Sequence, residues 1–165
     1  MTEPAAHKSM WEISEVVFGI PLLISIVLHF VLPFPLAHGT LRLVFIPLGI
    51  ILVVVGIGLI VLARRELAHH GQPTDPGRPT SKIVSSGVFS ISRNPLYLGI
   101  VIVLIGLALA FNVLWILVLL VPAIVLCHYV LIFPEERYLS ARLGEEYKAY
   151  TLSVYRWLGR KRVTQ

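Results

Sequence analysis

Forty consecutive residues, Pro95 to Pro134, carry no formal charge, and nothing else in the chain limits its fold so sharply. As one α-helix at 1.5 Å per residue the run would be about 60 Å long, twice the hydrocarbon thickness of a bilayer. The run therefore has to cross a membrane and turn back within its own length, and Phe111-Asn112 is its only polar interruption near the middle. This predicts a tight hairpin of two spanning helices over about 95–111 and 113–133. Gly99 and Gly106 stand seven residues apart, on one helical face where missing side chains let another helix come close. Pro122 removes a backbone hydrogen bond from the second helix and is expected to kink it.

Two earlier stretches repeat the pattern. Val16 to Leu41 has no Lys, Arg, Asp or Glu and is closed by Pro33-Phe34-Pro35 and the turn Ala37-His38-Gly39-Thr40. Leu43 to Ala63 is equally uncharged, carries Gly49 and Gly56 on one face, and is expected to end at Arg64-Arg65-Glu66. Spans over about 14–33 and 42–64 follow. With 56% hydrophobic and 14% charged residues, the chain departs from a soluble domain, in which about half and a quarter are usual. The expected fold is all-α and integral to the membrane: one domain over 1–165 with four transmembrane helices. After Pro134, Leu139, Leu143, Tyr147, Tyr150 and Val154 recur at intervals of three and four, which predicts a C-terminal amphipathic helix. Met1 to Glu15 lacks the basic start and small-residue cleavage site of a secretory signal, so the first span is expected to stay attached.

The net charge of +5 falls in two clusters beside spans. Arg64, Arg65, Arg78, Lys82 and Arg93 form one; Arg137, Arg142, Lys148, Arg156, Arg160, Lys161 and Arg162 form the other. Such placement reads as topology and attraction to anionic lipid, not as nucleic-acid binding. Four crossings put both termini, the loop 64–94 and the tail 134–165 on one side, which the positive-inside rule makes cytoplasmic. The membrane would be a bacterial or archaeal plasma membrane, or the endoplasmic reticulum in a eukaryote. No metal site is expected: His69 and His70 are neighbours without a third ligand at a recognisable spacing. The single cysteine, Cys127, and its neighbour His128 point apart on a helix and read as span residues. Gly56-Ile57-Gly58 lies inside an apolar helix with no strand before it, so it is not a nucleotide fingerprint.

The polar loop meets the long apolar run at Gly87-Val88-Phe89-Ser90-Ile91-Ser92-Arg93-Asn94-Pro95-Leu96-Tyr97-Leu98-Gly99. Asn94-Pro95 is a helix start: Asn caps orphan N–H groups, and Pro at the first position lacks the one that would go unpaired. This block, Gly-x-x-x-x-x-Arg-Asn-Pro-x-Tyr-x-Gly, resembles the signature of the isoprenylcysteine carboxyl methyltransferase and phospholipid methyltransferase superfamily. A second matching block begins at Glu135-Glu136 and runs through Leu139, Leu143-Gly144, Tyr147 and Tyr150 to Val154-Tyr155-Arg156-Trp157. The resemblance covers about Gly71 to Arg160, and departs at Asn94, where many members carry His.

The resemblance implies an integral-membrane enzyme that uses S-adenosyl-L-methionine. Its site residues would be Arg93, Glu135 and Glu136 in catalysis, with Asn94, Tyr97, Gly99, Glu135, Glu136, Tyr147, Tyr150, Arg156 and Trp157 around the cofactor. By residue type, Glu135 and Glu136 can accept from an ammonium or ribose hydroxyls, Arg93 or Arg156 can pair with a carboxylate, and Tyr97, Tyr147, Tyr150 or Trp157 can flank adenine. Each also has a structural reading, as helix start, inside-positive anchor or interfacial aromatic. The expected partners are the lipid bilayer and a lipidic or lipid-modified acceptor. A carboxylate of the isoprenylcysteine type is the first expectation and a phospholipid or other amine the alternative. Of other classes, a small four-helix transporter would need an ionisable residue buried in a span, and only Glu15 stands near one; a non-catalytic scaffold would bind no cofactor.

Overall fold

The computed structural model describes residues 14–73 and 81–161. The polar start through residue 13, residues 74–80 with Arg78, and the end from Arg162 lie outside the described residues. The described chain is helical throughout: α1 (Ser14–Val31), α2 (Leu41–His69), α3 (Pro95–Phe111), α4 (Leu114–Leu126) and α5 (Phe133–Ser153), with an isolated bridge pairing Val154 with Arg160. A 3-10 turn, Gly87–Ser90, precedes α3.

Ser14–Val31, Leu41–His69 and the helix that includes α4 are long and apolar enough to cross a membrane, and α3 is apolar over 17 residues. Their outward faces bear Leu23, Phe30, Leu43, Val54 and Val121, all exposed. So large an apolar surface is stable only against lipid.

Packing is pairwise. α2 lies along α3, and α1 along α4. The glycines explain the first pair. A Cβ on Gly49 would stand 2.5 Å from the Gly106 carbonyl oxygen, and one on Gly56 would stand 2.7 Å from that of Gly99. The two seven-residue glycine spacings thus face each other and bring the backbones together as no larger residue permits. The hairpin between α3 and α4 is therefore tight at its turn, while α3 finds its main partner in α2. At that turn Asn112 is left-handed (φ 60°), a conformation asparagine tolerates better than most residues. Its buried amide donates to the Ala37 carbonyl at 3.0 Å and accepts from the Ala37 N–H at 2.9 Å. Trp115 donates to the Leu32 carbonyl at 2.7 Å, tying the end of α1 to the same corner.

Two helix ends differ from the sequence expectation. α2 runs past Arg64-Arg65-Glu66 to His69, because charged residues leave the lipid but are good helix formers; the chain turns only at Gly71, with φ +64°. The tail helix does not begin afresh at Pro134. α4 passes through Pro122, widens into a π-helical turn over Cys127–Ile132 and continues as α5, so that the helical run Leu114–Ser153 extends over 40 residues with its break at Gly144 and not at Pro134. The Phe133 N–H reaches back to the His128 carbonyl, five residues away, and this widening accommodates the missing N–H of Pro134. α5 bends at Gly144 (φ 51°, ψ −120°), where its side-chain stripe turns onto the loop: Tyr147, Tyr150 and Val154 pack with Ile83, Leu139 and Leu143.

Candidate active site

The 3-10 turn and the start of α3 are held from both sides. On one side Phe89 packs with Ala63 and Val84, and Ser86 donates to the Glu66 carboxylate at the end of α2. On the other, residues after α5 run alongside: Arg93 N–H donates to the Tyr155 carbonyl at 3.1 Å, Gly159 N–H to that of Ile91 at 2.7 Å, and Arg160 Nε to that of Ser90 at 3.0 Å. The Tyr150 hydroxyl donates to the Phe89 carbonyl at 2.7 Å. Asn94 does not cap α3 with its side chain. Its amide donates to the Arg156 carbonyl at 3.0 Å, while the fully buried Ser92 takes the Asn94 N–H at 3.1 Å. The reason is competition: Pro95 has already removed one orphan N–H, and the amide does more by holding the tail.

This clamp brings three charged residues together. Arg156 donates to Glu136 through Nε at 2.9 Å and Nη2 at 2.6 Å, a bidentate pair, and Arg93 Nη1 lies 3.1 Å from the same carboxylate. The Glu136 hydrogen bonds hold the Arg156 guanidinium charged even more firmly than usual. Arg93 is only 11% exposed, reaches the Tyr147 hydroxyl at 3.5 Å, and leaves its buried Nε without a partner among the described residues. A buried donor left unpaired is costly in isolation and marks where a ligand acceptor would fit. Arg93 lines a pocket of about 570 Å³ together with Glu136, Phe133, Ser140, Gly144 and Tyr147.

Glu135, next in sequence, turns the other way and accepts from the Tyr97 hydroxyl at 3.4 Å. Tyr97 is 4% exposed and also lines a second cavity, of about 370 Å³, between α1, α2 and α3. The Tyr97–Glu135 pair thus ties the wall of the second cavity to the start of α5, one residue before Glu136 of the first pocket. Of the sequence-derived candidates, Arg93, Glu136 and Tyr147 line the first pocket, Arg156 pairs with Glu136 behind it, and Tyr97 bonds to Glu135, the neighbour of Glu136. Tyr150 and Asn94 serve the clamp, Trp157 packs against the helix core, and Gly99 lies in the α2–α3 contact. Ser92, Phe133 and Ser140 were not singled out from the sequence; only their contacts distinguish them. Cys127 is fully buried in the core, and no cluster of three His, Cys, Asp or Glu able to hold a metal occurs among the described residues.

Apolar helices with a charged, part-buried cluster and a pocket beyond one end define a membrane protein built to handle a polar ligand next to lipid. The family model for phospholipid methyltransferase matches residues 44–146, and the chain belongs to that family. The matched stretch runs from α2 to beyond the bend in α5 and contains both Arg93 and the Glu135-Glu136 pair. Membership implies a membrane methyltransferase acting on lipid-related substrates. No curated protein and no solved structure is significantly similar to the chain.

Proposed function

We propose that the chain transfers a methyl group from S-adenosyl-L-methionine to a lipid embedded in the same membrane. The observation that carries this reading is the Arg93–Glu136–Arg156 cluster, whose Arg93 and Glu136 line the 570 Å³ pocket and whose Arg93 Nε has no partner among the described residues. That donor set suits the cofactor. Arg93 would take its carboxylate, Glu136 its ammonium or ribose hydroxyls, and Phe133 and Tyr147 offer ring faces for adenine. When bound, the cofactor supplies a methyl group on a cationic sulfur, which departs as a neutral thioether when the acceptor's lone pair takes the methyl. With a neutral amine as acceptor the positive charge passes from sulfur to nitrogen and is dispersed between them on the way, so the part-buried cluster helps by fixing alignment and excluding water.

For the acceptor, membership and the Tyr97–Glu135 pair support a phospholipid amine over the isoprenylcysteine-type carboxylate. A carboxylate bonded to the cavity wall through Tyr97 repels an anionic acceptor, whereas it attracts an ammonium and can receive the proton that must leave before the lone pair attacks. Incubating vesicles that contain the full chain with methyl-labelled cofactor should yield a base-stable labelled lipid. A base-labile product would restore the carboxylate reading, and absence of labelled lipid would overturn the proposed activity.

The same reading has four crossings, with α1, α2, α3 and α4 spanning and α5 on the cytoplasmic surface beside the basic loop, and with both termini on that side. In a Cys127→Ser background, Ser81→Cys should resist an impermeant thiol reagent in intact cells while Thr40→Cys reacts. The opposite pattern would invert the orientation.

A further inference from the structure

We infer that the cavity between α1, α2 and α3 is the acceptor's binding site, holding one hydrocarbon chain of a bilayer phospholipid while Arg64 and Glu15 read a headgroup that carries both a phosphate and an amine. This rests on the proposed methyl transfer. The cavity follows from the pairwise packing: α1 leans on α4 and α2 on α3, which leaves a trough between α1 and α2 with α3 as its floor. Its wall is hydrocarbon, from Phe18, Leu22, Ile60 and Ile100 among others, and Gly19 widens it, since a Cβ there meets nothing within 4 Å.

The lining also contains two opposite charges. Arg64 and Glu15 both face this cavity, and neither is in an ion pair among the described residues. Glu15 accepts from the Ser14 hydroxyl at 3.4 Å, and an apolar trough whose one cation and one anion are in no ion pair among the described residues is complementary to a zwitterionic lipid: guanidinium to phosphate, carboxylate to ammonium. A lipid without an amine satisfies only one of them or neither. Tyr97 lines the same trough and donates to Glu135, so a headgroup held there lies beside the side chain that bonds to the start of α5, next in sequence to Glu136 of the other pocket. Glu15 and Arg64 therefore act in recognition, and Tyr97 borders the point of transfer.

The test uses the full chain in phosphatidylglycerol vesicles, which offer a phosphate but no amine, without cofactor, and a phosphatidylethanolamine probe bearing a photoactivatable group at the end of one chain. Cross-links should concentrate on peptides containing Phe18, Leu22 and Ile100, and excess unlabelled phosphatidylethanolamine should compete. Gly19→Trp should fill the trough and cut cross-linking about tenfold, with a similar rise in acceptor KM and unchanged cofactor affinity. Gly58→Trp, placed in open space on α2 outside the trough, should leave both unchanged. Arg64→Gln should weaken competition by phosphatidylethanolamine while the protein remains inserted and folded. Labelling spread over the lipid-facing surface, equal in the Gly19→Trp protein, would mean bulk lipid contact only and overturn the site. Trough labelling without methyl transfer by the unsubstituted chain would leave the site standing and remove the proposed reaction instead.

Discussion

Glu136→Ala should cost about 3 kcal/mol of stability, because it leaves two part-buried guanidinium groups facing each other with no anion between them. Among the described residues Glu136 is the one carboxylate that Arg93 and Arg156 share, and its side chain is only 15% exposed. Arg156 is 35% exposed and can recover some hydration, which places the estimate at the lower end of the range for a broken buried pair. If Glu136 were merely an acidic residue early in α5, its loss would cost about 0.3 to 1 kcal/mol. The two values are far enough apart to separate by thermal unfolding in detergent without ligand. Glu136→Gln, which keeps an acceptor oxygen and the shape, should fall between. If Glu136 also meets the cofactor's ammonium or ribose, Glu136→Gln should weaken cofactor binding by about 10- to 150-fold, the equivalent of a charge-assisted hydrogen bond. A variant with unchanged melting and unchanged cofactor titration would remove Glu136 from both roles.

The site's parts were legible in the sequence, but their assembly was not. Arg93, Tyr97, Glu135 and Glu136 all stand in the two motif blocks, yet adjacency in sequence hid the fact that Glu135 and Glu136 serve different partners. Successive helical residues point about 100° apart, so one carboxylate meets Tyr97 while the next meets the two arginines. Which goes where depends on the rotation of α5, and that is set by the π-helical turn over Cys127–Ile132, for which the sequence carries no rule. Asn94 shows a related effect. A side chain with a good local partner at a helix start was drawn to a distant one, the Arg156 carbonyl, by tertiary structure. At Arg64-Arg65-Glu66 the change of composition marked where the apolar surface stops, which differs from where the helix stops. The turn at Phe111-Asn112 was readable because only one polar break interrupts a run too long for a single crossing.

The glycine spacing was equally readable, though not the partner it served, and it yields the second large effect. Gly49→Val should destabilise the protein by about 1 to 3 kcal/mol or more, because every atom that a Cβ would strike belongs to the backbone of α3. Those atoms are the Gly106 oxygen at 2.5 Å, the Ala110 nitrogen, and the Ala110 Cα at 2.9 Å. No rotamer change relieves such contacts; α2 and α3 must separate. Separation would also loosen the cluster of Ala63, Phe89 and Leu96 at the far end of the pair, which steadies the turn leading to Arg93. Gly58→Val is the control, since that position on the same helix has open space and should change stability little. Combining Gly49→Val with Gly106→Val should cost less than the sum of the two, because helices already forced apart by one valine have room for the second. Additive losses measured by unfolding would mean that the two glycines act at separate contacts, and equal tolerance of Gly49→Val and Gly58→Val would dissolve the α2–α3 interface described here.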